Sequence, residues 1–301
     1  MNFQKLEGLI AATHSPFGSD GDVNLNVIEK QAQHLIESGV KAAFICGSTG
    51  ESHSLTMIER RRMAERWRDV VQGTSLKLIV HVGSNCLSDA AELAEHAGRI
   101  GAHAIAALSP SYFKPGNVET LVDSMARIAA RAPNTPFYFY DIPVMTNVHL
   151  SMVRFLELAP SSIPNLVGLK FTNTDMAALQ HCLRYAQSAW DILWGVDEVL
   201  LAAWTLGVRG AVGSSYNFCA PLHLQAIAAL EKSDWATAQK LQYQTVQWIE
   251  ILARYGYMAA AKYCLECQGV PVGPARLPLG NLSQEAKANL RRELQTAGFV
   301  A

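Results

Sequence analysis

Eight short runs with β character recur through the first 215 residues, at 8–13, 42–46, 76–82, 103–108, 136–140, 166–171, 191–194 and 209–212. A segment of helical periodicity follows each, which is the pattern of repeated βα units around a parallel sheet. Eight units suggest closure into a barrel, with an open sheet as the alternative. Half of the 301 residues are apolar and 17% are charged, enough to fill a large core. The length exceeds the roughly 250 residues of one barrel, so helices beyond it are expected. The predicted class is α/β, a (β/α)8 TIM barrel with a C-terminal helical extension.

The helices carry their own punctuation. Ile28, Ala32, Leu35 and Ile36 form an apolar stripe that ends at Gly39, and Thr56-Met57-Ile58-Glu59 reads as a capping box. After Val212 the β signal stops, and 222–230, 235–255, 258–268 and 283–297 read as helices. Residues 1–232 are therefore assigned to the barrel and 233–301 to an extension packed on it, the two forming one structural domain.

Charge excludes some partners. Lys and Arg number 25 against 26 Asp and Glu, and the run Arg60-Arg61-Arg62 beside Glu59 and Glu65 reads as a solvated helix face, not a nucleic-acid site. No apolar run of about 18 residues is present, and the start at Met1 lacks a signal pattern, so a soluble cytoplasmic protein without a membrane partner is expected. Six scattered cysteines argue for reduced thiols, and Cys264 and Cys267 for small buried hydrophobes. The nine histidines carry no metal-ligand spacing.

In such barrels the reacting groups lie at the C-terminal ends of strands. Lys170 ends the strand Leu166-Val167-Gly168-Leu169-Lys170, and alternation puts it on the inward face with Gly168 and Leu166. It is either a lysine snorkelling to the rim or a desolvated amine, the neutral nucleophile that imine formation needs. Tyr140 ends the preceding strand and shares an inward face with Tyr138, so amine and phenol together suit carbinolamine chemistry. Gly47-Ser48-Thr49-Gly50-Glu51 follows the second strand and offers hydroxyl and backbone donors to an anion such as a carboxylate; a tight turn is the plainer reading. Gly195-Val196-Asp197-Glu198 and Gly213-Ser214-Ser215-Tyr216-Asn217 follow strands seven and eight. They suit a polyhydroxylated substrate, or equally the first turns of helices.

These motifs, with Tyr140-Asp141-Ile142-Pro143 and Gly168-Leu169-Lys170, resemble the N-acetylneuraminate lyase and dihydrodipicolinate synthase superfamily, in order along nearly the whole chain. The combination of Gly195-Val196-Asp197-Glu198, Gly213-Ser214-Ser215-Tyr216-Asn217 and the late run from Gly269 to Pro278 is similar to the N-acetylneuraminate lyase branch in particular. The resemblance implies reversible cleavage of N-acetylneuraminate to pyruvate and N-acetylmannosamine through a covalent imine on Lys170, with no metal or organic cofactor. It implies Tyr140 as proton shuttle, Ser48 and Thr49 as ligands of the pyruvate carboxylate, and Thr172, Gly195, Asp197, Glu198 and Ser214 as contacts to the sugar-derived part. It also implies a homotetramer, a dimer of dimers, in which Tyr112 serves the neighbouring subunit.

Departures bear on substrate. Met145 stands where the dihydrodipicolinate synthase branch generally has arginine, which disfavours that activity. Asp141 replaces the commoner asparagine or histidine, and His14-Ser15-Pro16 a more usual Thr-Pro. The rivals are a pyruvate aldolase acting on a 2-keto-3-deoxy sugar acid and a ligand-binding barrel without catalysis.

Overall fold

Residues 3–299 are described by a computed structural model of the chain. Eight parallel strands, β1 (Gly8–Ala12), β2 (Ala42–Ile45), β3 (Lys77–His81), β4 (Ala104–Leu108), β5 (Phe137–Asp141), β6 (Leu166–Phe171), β7 (Asp191–Trp194) and β8 (Gly210–Gly213), close in sequence order. Closure is made by β8 on β1, in the register Gly8↔Gly210 to Ala11↔Gly213. Every strand end lies within one residue of its predicted place. Helices α1 (Ile28–Glu37), α2 (Met57–Val71), α3 (Leu87–Arg99), α4 (Val118–Ala129), α5 (Pro143–Thr146), α6 (Met152–Leu158), α7 (Met176–Arg184) and α8 (Leu200–Leu206) lie between the strands. After β8 come α9 (Tyr216–Glu231), α10 (Trp235–Arg254), α11 (Tyr257–Cys267) and α12 (Gln284–Thr296).

Alternation along the strands divides the core. Ile10, Ala12, Phe44, Ile79, Leu108, Tyr138, Tyr140 and Val212 fill the barrel, while Leu9, Ala11, Ile45, Leu169, Phe171 and Trp194 face the helices. Leu166 departs from its predicted face. A register shift between Phe137 and Tyr138 pairs Leu166 with Phe137 but Gly168 with Tyr138. The irregularity inverts the pleat, so Leu166 packs under the helices and Val167 against the interior. Gly168 and Lys170 keep the inward phase opposite Tyr138 and Tyr140.

The capping box at Thr56 and Glu59 is present at the start of α2. Arg60, however, is buried, donating to the carbonyls of Gly83 (3.0 Å) and His81 (2.8 Å). It shares a helical face with Met63, Ala64 and Trp67, so only its two arginine neighbours retain exposure.

The helix expected over 222–230 begins at Tyr216 and runs through Pro221 with a kink at Cys219. Proline has no N–H to give the carbonyl four residues back, that of Asn217. His34 of α1 supplies the missing donor, its Nε2 lying 2.8 Å from that oxygen. The C-terminal helices pack on α9 through Phe218, Trp248, Leu252, Leu290, Leu294 and Phe299. No helix among the described residues is long and apolar enough to cross a membrane.

The substitution His34→Ala is expected to cost about 1 kcal/mol in urea unfolding. The loss should be smaller in a Pro221→Ala background, where the restored N–H serves Asn217; equal losses in both would contradict this account.

Candidate active site

The C-terminal ends of the strands open into a cavity of about 860 Å³. Lys170 at the end of β6 is 4% exposed, and its Nζ sits 3.9 Å from the ring centroid of Tyr140 and 4.2 Å from that of Phe44. The amine thus lies against two aromatic faces inside a cavity wall instead of extending along the rim. Tyr140 is buried beside it, and its hydroxyl is 3.5 Å from Ser48 Oγ, at the outer limit of a hydrogen bond.

The loop carrying Ser48 and Thr49 is closed by its own backbone: Glu51 N–H donates to Ser48 O (3.0 Å) and Ser52 N–H to Gly47 O (3.2 Å). Both Ser48 and Thr49 line the cavity. A Cβ at Gly50 would meet backbone of Cys46 at 3.0 Å and of Thr13 at 3.2 Å, so that position has little room for a side chain.

Thr172, Gly195, Asp197, Glu198 and Ser214 line the same cavity. The Thr172 hydroxyl is buried without a hydrogen-bond partner among the described residues. A Cβ on Gly195 would lie 1.9 Å from that oxygen, and one on Gly213 would lie 1.9 Å from Asp197 Oδ1. Both glycines are therefore required by close approach.

Asp197 is fixed on one side: its Oδ2 accepts from Ser215 N (2.9 Å) and Ser215 Oγ (2.6 Å). The Ser215 oxygen in turn lies 2.9 Å from His223 Nε2. Burial drives the His223 pKa down to about 3. The ring is neutral, and its Nε2 must carry the proton it gives to Ser215. Burial raises the Asp197 pKa to about 6, against the pull of the two Ser215 bonds.

All the residues predicted for one protomer's site thus meet in one cavity. Tyr112 does not: it is 77% exposed, stacked edge-on against Phe113. Several lining residues were missed. Ile249 and Ala253 of α10 and Tyr257 of α11 close one wall, with Tyr257 OH 2.7 Å from Ser214 Oγ. Asn173, Thr174 and His149 come from loops after β6 and β5. Ile249 and Ala253 lie one turn apart on α10 and Tyr257 opens α11, but nothing local distinguishes these positions from residues packed on the core.

Asp141, noted as a departure, points away from the barrel interior and is buried, with Asn173 Nδ2 3.4 Å from its Oδ2. Burial lifts its pKa to about 7, and the Asn173 contact offsets this only in part.

A closed barrel holding an amine, a phenol, hydroxyls and carboxylates at its C-terminal mouth is the build of a barrel enzyme. The profile of the Dihydrodipicolinate synthetase family matches residues 5–297, and the chain belongs to that family. It is 38% identical to an N-acetylneuraminate lyase of Gallus gallus over 97% of this chain and 96% of the relative. An N-acetylneuraminate lyase of Danio rerio is 40% identical over 92% and 91% of the two chains. The solved Proteus mirabilis N-acetylneuraminate lyase superposes with a TM-score of 0.96 at 40% identity, covering 99% of this chain and 100% of that one.

The raised Asp141 pKa means that the folded protein holds a proton which the unfolded chain releases near pH 3.8. Its contribution to stability is full below that value and is lost as pH rises through about 7. Asp141→Asn should therefore raise Tm by about 2 °C or more at pH 8 and change it by less than about 1 °C at pH 4. A calorimetric scan at the two pH values that gave equal shifts would contradict the assignment.

Proposed function

We propose that this chain is a Schiff-base aldolase that reversibly cleaves N-acetylneuraminate to pyruvate and N-acetylmannosamine, with Lys170 as the imine-forming amine. The observation that carries this reading is the Lys170 amine, buried against Tyr140 and Phe44 at the wall of the cavity that Ser48 and Thr49 also line. The full-length similarity to proteins named N-acetylneuraminate lyase supports the substrate.

Ser48 and Thr49 hold the carboxylate of the open-chain sugar acid and aim its C2 ketone at Lys170. Neutral amine adds to C2, and the carbinolamine loses water to give a protonated imine. Tyr140 relays the proton from the C4 hydroxyl. The C4–O bond becomes a carbonyl, the C3–C4 bond breaks, and its electron pair passes through C2 to the iminium nitrogen as an enamine. N-Acetylmannosamine departs first. Protonation of C3 and hydrolysis of the imine then release pyruvate and restore the amine. The iminium is the electron sink, so this route uses no metal or organic cofactor.

Thr172, Gly195, Asp197, Glu198 and Ser214 contact the amino-sugar part, with Asp197 oriented by Ser215. Met145 lines the cavity and supplies no cation for a second carboxylate, which disfavours dihydrodipicolinate synthesis. The reading includes a cytoplasmic homotetramer, a dimer of dimers, in which Tyr112 meets the neighbouring subunit. It treats the barrel, 1–232, and the extension, 233–301, as one structural domain.

Borohydride reduction of the protein with pyruvate should leave an adduct on Lys170, located by peptide mass spectrometry. Lys170→Ala should abolish both adduct and turnover; an adduct elsewhere, or none in folded wild type, refutes the imine.

Tyr140→Phe should lower kcat by about 10²-fold or more while weakening pyruvate binding far less, because a proton relay acts in the transition state. Equal losses in kcat and binding would count against that role.

A further inference from the structure

The loop that presents Ser48 and Thr49 is bracketed by two non-glycine residues in the left-handed region, Cys46 (φ 56°) and Glu51 (φ 54°). Side chains with a Cβ disfavour that conformation, and it persists where the surroundings dictate it. At Cys46 the surroundings are barrel: its carbonyl is 2.8 Å from His81 Nδ1 of β3.

At Glu51 they are the C-terminal helices. The Glu51 carboxylate is wholly buried, with Oε1 2.6 Å from Lys262 Nζ of α11 and Oε2 accepting from Arg276 N at 2.8 Å. The Lys262 ammonium also donates to Ser15 O (3.0 Å) and Pro274 O (2.8 Å). Two carbonyls thus take hydrogen bonds from the ammonium, and the Glu51 carboxylate faces it as its ion-pair partner. Ser15 completes the ring, its hydroxyl donating to Gly50 O at 2.6 Å. Every partner of this ion pair belongs to the loop, to the segment after β1, or to the stretch after α11.

Neither Glu51 nor Lys262 lines the cavity. A buried pair is a poor device for stability alone, since desolvation offsets most of the attraction and apolar residues of equal volume often serve as well. What it provides is a directional link of fixed length. We propose that Glu51 and Lys262 are positioning residues for the carboxylate-binding loop, so that α11 sets the hydroxyls of Ser48 and Thr49 from outside the barrel. This rests on the reading that those hydroxyls hold the pyruvate carboxylate. It predicts that the pair governs one substrate of the condensation and not the other, because the amino-sugar contacts after β7 and β8 are held by bonds that involve neither Glu51 nor Lys262.

The test is steady-state condensation of pyruvate with N-acetylmannosamine by Glu51→Gln, Lys262→Met and the double variant. The double variant leaves no lone buried charge and keeps the side-chain volumes, so it remains foldable where a single change does not. In it, KM for pyruvate should rise at least about tenfold, while kcat and KM for N-acetylmannosamine stay within about threefold. An unchanged pyruvate KM in the folded double variant overturns the proposal. So does a parallel rise in both KM values, which marks general damage to the site. Borohydride trapping of pyruvate on wild-type Lys170 is run alongside: its failure would overturn the Schiff-base reading itself, whereas success with unaltered variant kinetics would overturn only the role of the pair.

Discussion

Closure of β8 on β1 is the constraint on which the rest of the molecule depends. Hydrogen bonding in the register Gly8↔Gly210 to Ala11↔Gly213 leaves the sheet without an edge and turns one face of every strand into a shared interior. Because all eight strands are parallel, their C-terminal ends meet at one mouth. Lys170, Tyr140, Thr172 and Ser214 become neighbours although the chain separates them by up to 74 residues, the interval from 140 to 214. The same closure puts the Lys170 amine against the faces of Tyr140 and Phe44, away from bulk water.

Glycine enters where that crowding is greatest. Gly168 has the Asp191 carbonyl oxygen 1.8 Å from where a Cβ would stand, so a side chain there would collide with the β6–β7 ladder next to the lysine. Gly195 and Gly213 yield their space to Thr172 and Asp197. These positions let polar groups approach closely without an intervening side chain.

The helices after the barrel finish the site. Gln242 of α10 donates to the Asp197 carbonyl (3.2 Å) and accepts from Leu201 N (3.1 Å), tying down the loop after β7. Tyr257 bonds Ser214 after β8, and Lys262 pairs with Glu51 after β2. The Arg276 guanidinium bonds the Ser54 carbonyl (2.7 Å) and the Glu59 carboxylate, reaching the same region from the far end of the chain. Three of the loops at the mouth are thus held partly by residues the barrel itself does not contain.

Local pattern determined the strands, the capping box at Thr56 and Glu59, and the inward phase of Tyr140 and Lys170, because period-two alternation and cap chemistry act over a few residues. It also determined which loops bear hydroxyls and carboxylates. Tertiary structure alone decided that Leu166 turns outward, since the irregularity there arises from pairing with Phe137, and that Pro221 sits inside a helix, since His34 supplies the missing bond. It decided that Arg60 is buried on the carbonyls of His81 and Gly83 and that Tyr257 belongs to the cavity. Each of these outcomes rests on a contact between residues distant along the chain, and such contacts exist only after the barrel has closed and its C-terminal helices have docked.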